Sequence, residues 1–146
     1  MRSIVAALFV LALGLAPAGL APKPVHAQEV AEADRAAVVD VIRQQLLAFQ
    51  RDDGAAAFAH AAPNVQAMFG SADVFMRMVR ETYQPVYRPR EVSFEDIAIV
   101  EGTLVQRVLL VGPDGLPVMA HYIMVESEGV WRIAGCILVR VPGVAT

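Results

Sequence analysis

Three hydrophobic rhythms succeed one another along this chain. Residues 3–20 form an almost unbroken apolar run, residues 28–82 repeat their apolar positions with a helical period, and residues 90–140 alternate with a period of two. In the helical part, Val38, Ile42, Leu46 and Phe49 recur at spacings of four, four and three, which predicts a helix over Gln28–Gln50 with Asp34 as its N-cap. Arg51-Asp52-Asp53-Gly54 breaks it. A short helix is expected over Ala55–Ala61 and another turn over Asn64–Phe69, after Pro63. Gly70 stops that turn, and Ser71 caps a helix over Ala72–Thr82 whose Phe75, Met78 and Val79 share a face. Tyr83–Arg90 reads as an extended linker, because residues before Pro85 and Pro89 avoid the helical region. Four strands follow: Arg90–Val100, Thr103–Val111, Leu116–Val125 and Val130–Arg140. The separators Glu101-Gly102, Gly112-Pro113-Asp114-Gly115 and Ser127-Glu128-Gly129 are hairpin signals, and such short links make an antiparallel meander. Helices first and strands last predict an α+β fold, with N-terminal helices packed on a curved four-stranded antiparallel sheet.

The turns also predict which residues face each other. With Glu101-Gly102 as a two-residue turn and the other two hairpins as three-residue turns, Asp96 faces Arg107, Arg107 faces His121, and His121 faces Gly135. One sheet face then reads Val92, Phe94, Ala98, Val105, Leu109, Met119, Ile123, Val125, Trp131, Ile133 and Ile137, and is expected beneath the helices. The opposite face carries Glu91, Ser93, Glu95, Gln106, Tyr122, Arg132 and Cys136, mixed with Val108, Leu110 and Leu138, and offers a surface for a homodimer.

Asp96, Arg107 and His121 interrupt the apolar face and are the sharpest candidate site. Paired, the carboxylate and guanidinium would hold His121 in a set orientation and shift its proton affinity. The alternative is a structural ion pair with a neighbouring imidazole, since such networks also shift pKa values without doing chemistry. Tyr83, Tyr87, Arg88 and Arg90 form a second feature: either a segment wrapping the sheet edge, or a lip over a pocket that recognises an anion. Cys136 pairs with His121 as nucleophile and base only if Glu128-Gly129 is a two-residue turn; otherwise it is a buried, inert thiol or one that links subunits. His60 and His121 are too distant in sequence for metal-ligand spacing, so neither a metal nor a cofactor is expected. A Gly-rich phosphate loop and a G-x-S-x-G elbow are both absent.

The first rhythm changes the picture of where the protein works. Arg2, the apolar run, and the small residues of Val25-His26-Ala27 before Gln28 have the pattern of a cleaved export peptide over residues 1–27. Pro17 and Gly19 interrupt the run, and no basic stop-transfer cluster follows it. Residues 28–146 are then expected to form one domain in the periplasm of a Gram-negative bacterium or outside the cell. No later apolar stretch approaches the roughly 20 residues of a spanning helix. Cleavage removes Arg2 and Lys23 and leaves ten basic against fifteen acidic residues, a net charge of −5 that argues against nucleic acid as a partner. The mean hydropathy of +0.49 is raised by the leader.

The order of elements, ending in Gly129-Val130-Trp131-Arg132-Ile133, resembles the NTF2-like superfamily of cone-shaped α+β domains. Several segments look more closely like an exported bacterial family, domain-of-unknown-function family 4864. They are Phe49-Gln50-Arg51-Asp52-Asp53 through Ala62-Pro63, Met68-Phe69-Gly70, Tyr83-Gln84-Pro85-Val86-Tyr87-Arg88-Pro89 and Trp131-Arg132-Ile133-Ala134-Gly135-Cys136. The superfamily resemblance implies a curved sheet, helices on its concave side, a pocket between them and dimers through the other sheet face. The closer resemblance implies no activity and no catalytic residues. Two functions are compatible with this. One is a non-catalytic module that binds a small ligand or a protein partner through Asp96, Arg107, His121, Tyr83 and Tyr87. The other is a small cofactor-free lyase or isomerase with Asp96 or His121 as acid/base, Arg107 as anion stabiliser, and Tyr83 or Tyr87 as proton donor.

Overall fold

The computed structural model describes residues 29–143; the proposed leader, with His26, lies outside the described residues. The helical half begins with α1 (Glu32–Gln50), whose Val38, Ile42, Leu46 and Phe49 are buried as their spacing requires. Its N-cap is Ala31 rather than Asp34. The Asp34 carboxylate instead accepts from the Trp131 indole at 3.1 Å, tying the helix to the last strand. Asp53 caps α2 (Gly54–Ala59), Pro63 opens α3 (Pro63–Phe69), and left-handed Gly70 ends it. Ser71 caps α4 (Ala72–Thr82), accepting from the Val74 amide at 3.2 Å. The expected linker is in part helical: Gln84–Tyr87 makes one turn, α5, because Pro85 falls at a first-turn position where its missing N–H costs nothing.

The strands β1 (Glu91–Val100), β2 (Thr103–Val111), β3 (Pro117–Ser127) and β4 (Val130–Arg140) form an antiparallel meander in the order β1-β2-β3-β4. The fold is α+β, as the two hydrophobic periods predict. The helices cover one face of the sheet, and the core lies between the layers.

The covered face is not the one expected. Leu104, Gln106, Val108 and Leu110 of β2 and Ala120, Tyr122 and Met124 of β3 are buried, while Arg107 is exposed. The face holding Ala98, Val105, Leu109, Met119, Ile123 and Ile137 is therefore the open one. Two bulges add to this change. In β1, Glu95 and Asp96 together oppose Arg107, so Phe94 returns to the inner face opposite Val108. The buried Gln106 amide donates to the Glu95 carbonyl at 2.9 Å and to the Arg107 carbonyl at 2.8 Å, satisfying backbone that the bulge leaves out of the ladder. In β4, Ala134 is the extra residue, so Ile133 and Trp131 stay inward.

At the same bulge, β4 takes partners from the helical half. The Ala62 amide donates to the Ile133 carbonyl at 2.8 Å, and the Ile133 amide to the His60 carbonyl at 2.9 Å. This one parallel bridge, Ala61 to Ile133, pins the α2–α3 turn against the sheet edge.

Candidate functional site

Pinning that turn leaves a space between the helices and the β3–β4 half of the sheet. It is a cavity of about 290 Å³. Its walls are almost wholly apolar: Phe49 from α1, Val65 and Phe69 from α3, and Phe75, Met78 and Val79 from α4. Phe75 is the centre of an aromatic cluster, with its ring centroid 5.3 Å from Phe58, 5.6 Å from Phe69 and 6.1 Å from Phe49. Rings packed at such offsets make a stiff wall.

Both layers supply polar groups: from α1 the buried Gln45, whose amide donates to the Ala57 carbonyl at 3.0 Å, and from the sheet two further side chains. Tyr122 and Cys136 are cross-strand partners and line the cavity. Tyr122 is 1% exposed, and its hydroxyl has no hydrogen-bond partner among the described residues. An unpaired buried donor of this kind costs about 1–3 kcal/mol. Burial first, and then the nearby Cys136 thiol, raise the Tyr122 pKa well above the ordinary phenol value. Burial also pushes the Cys136 thiol up to about 12, against a smaller opposing effect of the Tyr122 hydroxyl. The hydroxyl and the thiol lie close enough to shift each other's proton affinity, but the Tyr122 hydroxyl makes no hydrogen bond in which distance and angles are both satisfied. Tyr83, from the α4–α5 junction, donates its hydroxyl to the Cys136 carbonyl at 3.0 Å; burial raises its pKa too, with Cys136 as a second cause. Near neutral pH all three groups carry their protons. The cavity then holds hydrogen-bond donors, but from them neither a base nor an anionic nucleophile.

Of the residues expected to form a site, only Tyr83 reaches this cavity. Asp96, Arg107 and His121 do come together, but on the open side of the sheet. Arg107 pairs with Asp96 at 2.5–2.6 Å, both about half exposed, and His121 is the cross-strand neighbour of Arg107. Their expected place beneath the helices is overturned by the inversion of the sheet faces. The Cys136–His121 dyad also fails. The Glu128-Gly129 turn has the two residues it needs, but the Ala134 bulge then moves Cys136 opposite Tyr122 and His121 opposite Ile137.

Tyr87 and Arg88 form a clamp within the chain. Arg88 donates to the Phe49 carbonyl at 2.6 Å and to the Asp52 carboxylate at 2.9 Å, and lies 3.9 Å over the Tyr87 ring. The Tyr87 hydroxyl donates to Asp52 as well, and this bond is the main cause holding the Asp52 carboxyl below its usual range. The arrangement fastens the C-terminal end of α1 to α5 and engages the guanidinium within the chain. Among the described residues, no group of three or more His, Cys, Asp or Glu could hold a metal ion, and no helix is long and apolar enough to cross a membrane.

The family model titled Domain of unknown function (DUF4864) matches residues 31–146. The chain belongs to the DUF4864 family. No curated protein matches it. Among solved structures, this DUF4864 chain is similar to a protein of unknown function with a cystatin-like fold from Nostoc punctiforme. The TM-score is 0.54 at 10% identity, and the match covers 80% of this chain and 97% of that one. At that identity the likeness concerns the fold alone: helices laid on a curved antiparallel sheet.

Proposed function

We propose that this DUF4864 chain is an exported, non-catalytic binding module of the NTF2-like cone class that holds a small ligand between its helices and sheet. On this reading residues 1–27 are cleaved, and 28–146 work as one domain in the periplasm of a Gram-negative bacterium. The observation that carries it is the cavity itself. It is preformed, close to the roughly 300 Å³ lower bound of ordinary small-molecule sites, and mostly apolar with a few polar groups, Gln45, Tyr83, Tyr122 and Cys136, in its lining. The lyase or isomerase alternative needs a proton acceptor there. Its candidates, Asp96 and His121, sit on the open sheet face, and the ionisable groups Tyr83, Tyr122 and Cys136 are all shifted towards their protonated forms.

The open face supports a further part of the reading, a homodimer. Ile137 and Val139 are about half exposed there, beside the partly covered Leu109, Met119 and Ile123, and the Asp96–Arg107 pair lies among them. This is the opposite face from the one the sequence offered for dimerisation, whose Val108, Leu110 and Tyr122 are core.

Mass spectrometry of protein recovered from the periplasm of a producing Gram-negative host tests the proposal. It should find a mature chain beginning at Gln28 and, after organic extraction, a stoichiometric small molecule. An uncleaved cytoplasmic chain would overturn the export part. Failure of both the extract and a screen of small apolar compounds to yield a binder would overturn the ligand part.

A further inference from the structure

The cavity also constrains what its occupant is made of, an inference that rests on the binding-module reading. We propose that it takes an uncharged, largely apolar molecule of bicyclic size carrying one hydrogen-bond acceptor, and that this oxygen accepts from the Tyr122 hydroxyl.

Three observations carry this. The first is size. An apolar cavity of about 150 Å³ accommodates benzene, so one of about 290 Å³ accommodates about a dozen non-hydrogen atoms. The second is charge. No Arg or Lys lines the cavity, so a carboxylate or phosphate would enter without a counter-charge and lose its hydration for nothing in return. A cation would fare no better, because the surrounding phenols and thiol are held in their neutral forms. The third is the unmet donor. The Tyr83 hydroxyl is already committed to the Cys136 carbonyl, whereas Tyr122 has an O–H, full burial and no partner. Buried polar groups are nearly always paired, and a carbonyl or ether oxygen in the ligand completes this one.

A matched pair of probes tests it. Indane and 1-indanone have the same bicyclic frame, and only the ketone accepts a hydrogen bond. Affinities of both are measured by calorimetry for the wild type and for Tyr122→Phe. The ratio of ketone to hydrocarbon affinity should fall by about tenfold in the variant, which corresponds to about 1.4 kcal/mol, with indane binding largely retained. The carbonyl infrared band of 1-indanone bound to the wild type provides a check that needs no variant. It should lie below its position in an apolar solvent. An unchanged ratio with an unshifted band would overturn the Tyr122 assignment and leave the cavity reading intact. Indane 1-carboxylate binding more tightly than both probes would overturn the uncharged class. Binding of none of the three would overturn the binding-module reading itself.

Discussion

Replacing Tyr122 with phenylalanine should stabilise the free protein, an unusual outcome for a change at a fully buried site. The phenol oxygen is enclosed and has no partner, so folding strips it of water without replacement. Removing it relieves a cost of about 1–3 kcal/mol. Against this stands the small void the oxygen leaves, of order 10 Å³, worth about 0.2 kcal/mol at roughly 24 cal/mol per Å³. The net expectation is a gain of about 1–3 kcal/mol, or about 4–12 °C in melting temperature for a domain of this size. The assay is urea denaturation at pH 7 of protein refolded from denaturant, so that no ligand is carried over. The midpoint should rise with an unchanged slope, since the surface exposed on unfolding is nearly the same. A loss of 1 kcal/mol or more would refute the reasoning. It would mean that the hydroxyl already has a partner in the free chain, with Cys136 the obvious candidate.

The α+β class and most element boundaries were legible because they rest on local signals. The α1 stripe, the Gly70-Ser71 stop and cap, and the Glu101-Gly102 hairpin all stand where the sequence puts them. The sheet faces were not legible, and the reason is physical. Both faces lean apolar, so alternation establishes two sets of residues without saying which one the helices cover. Gln106 and Tyr122 made the true inner face look mixed. Gln106 is buried because it serves the β1 bulge, which has no glycine to mark it, whereas Gly135 beside Ala134 is the kind of in-strand glycine that signals the β4 bulge. A pocket between helices and sheet is implied by the superfamily resemblance, but its lining was not legible: the walls come from α1, α3 and α4, and Tyr122 and Cys136 belong to the sheet face that the alternation alone puts away from the helices. The pairing of Asp96 with Arg107 was legible, because it depends only on the register of one hairpin. The one-turn helix α5 was hidden because proline before a turn and proline inside a first turn look alike in sequence.

Other expectations follow from the same geometry. The Cys136 thiol is held at about 12 against an ordinary 9.0, so between those values the unfolded chain releases a proton that the folded chain keeps. Stability should therefore fall above pH 9 by about 1.4 kcal/mol per pH unit from this group. Urea titrations from pH 8 to 10 should show that loss in the wild type and a shallower one in Cys136→Ala; equal slopes would contradict the burial argument. Gln106→Leu should cost about 2 kcal/mol in the same assay, because the bulge carbonyls lose their donor; an unchanged midpoint would show that water serves them instead. Ile137→Asp on the open sheet face should convert a dimer to a monomer in sedimentation velocity without lowering the melting temperature of the monomer, whereas a wild type that is monomeric at all concentrations would remove the dimer.

The claim that matters most is that ligand enters between the helices and the sheet rather than binding the open face. Backbone amide NMR during a titration with 1-indanone measures this directly. Saturable shifts centred on Phe69, Phe75, Val79 and Cys136, with Val105, Arg107 and Leu109 unmoved, are the expected result. Shifts confined to Val105, Arg107, Leu109 and His121, or none anywhere at millimolar ligand, would contradict it.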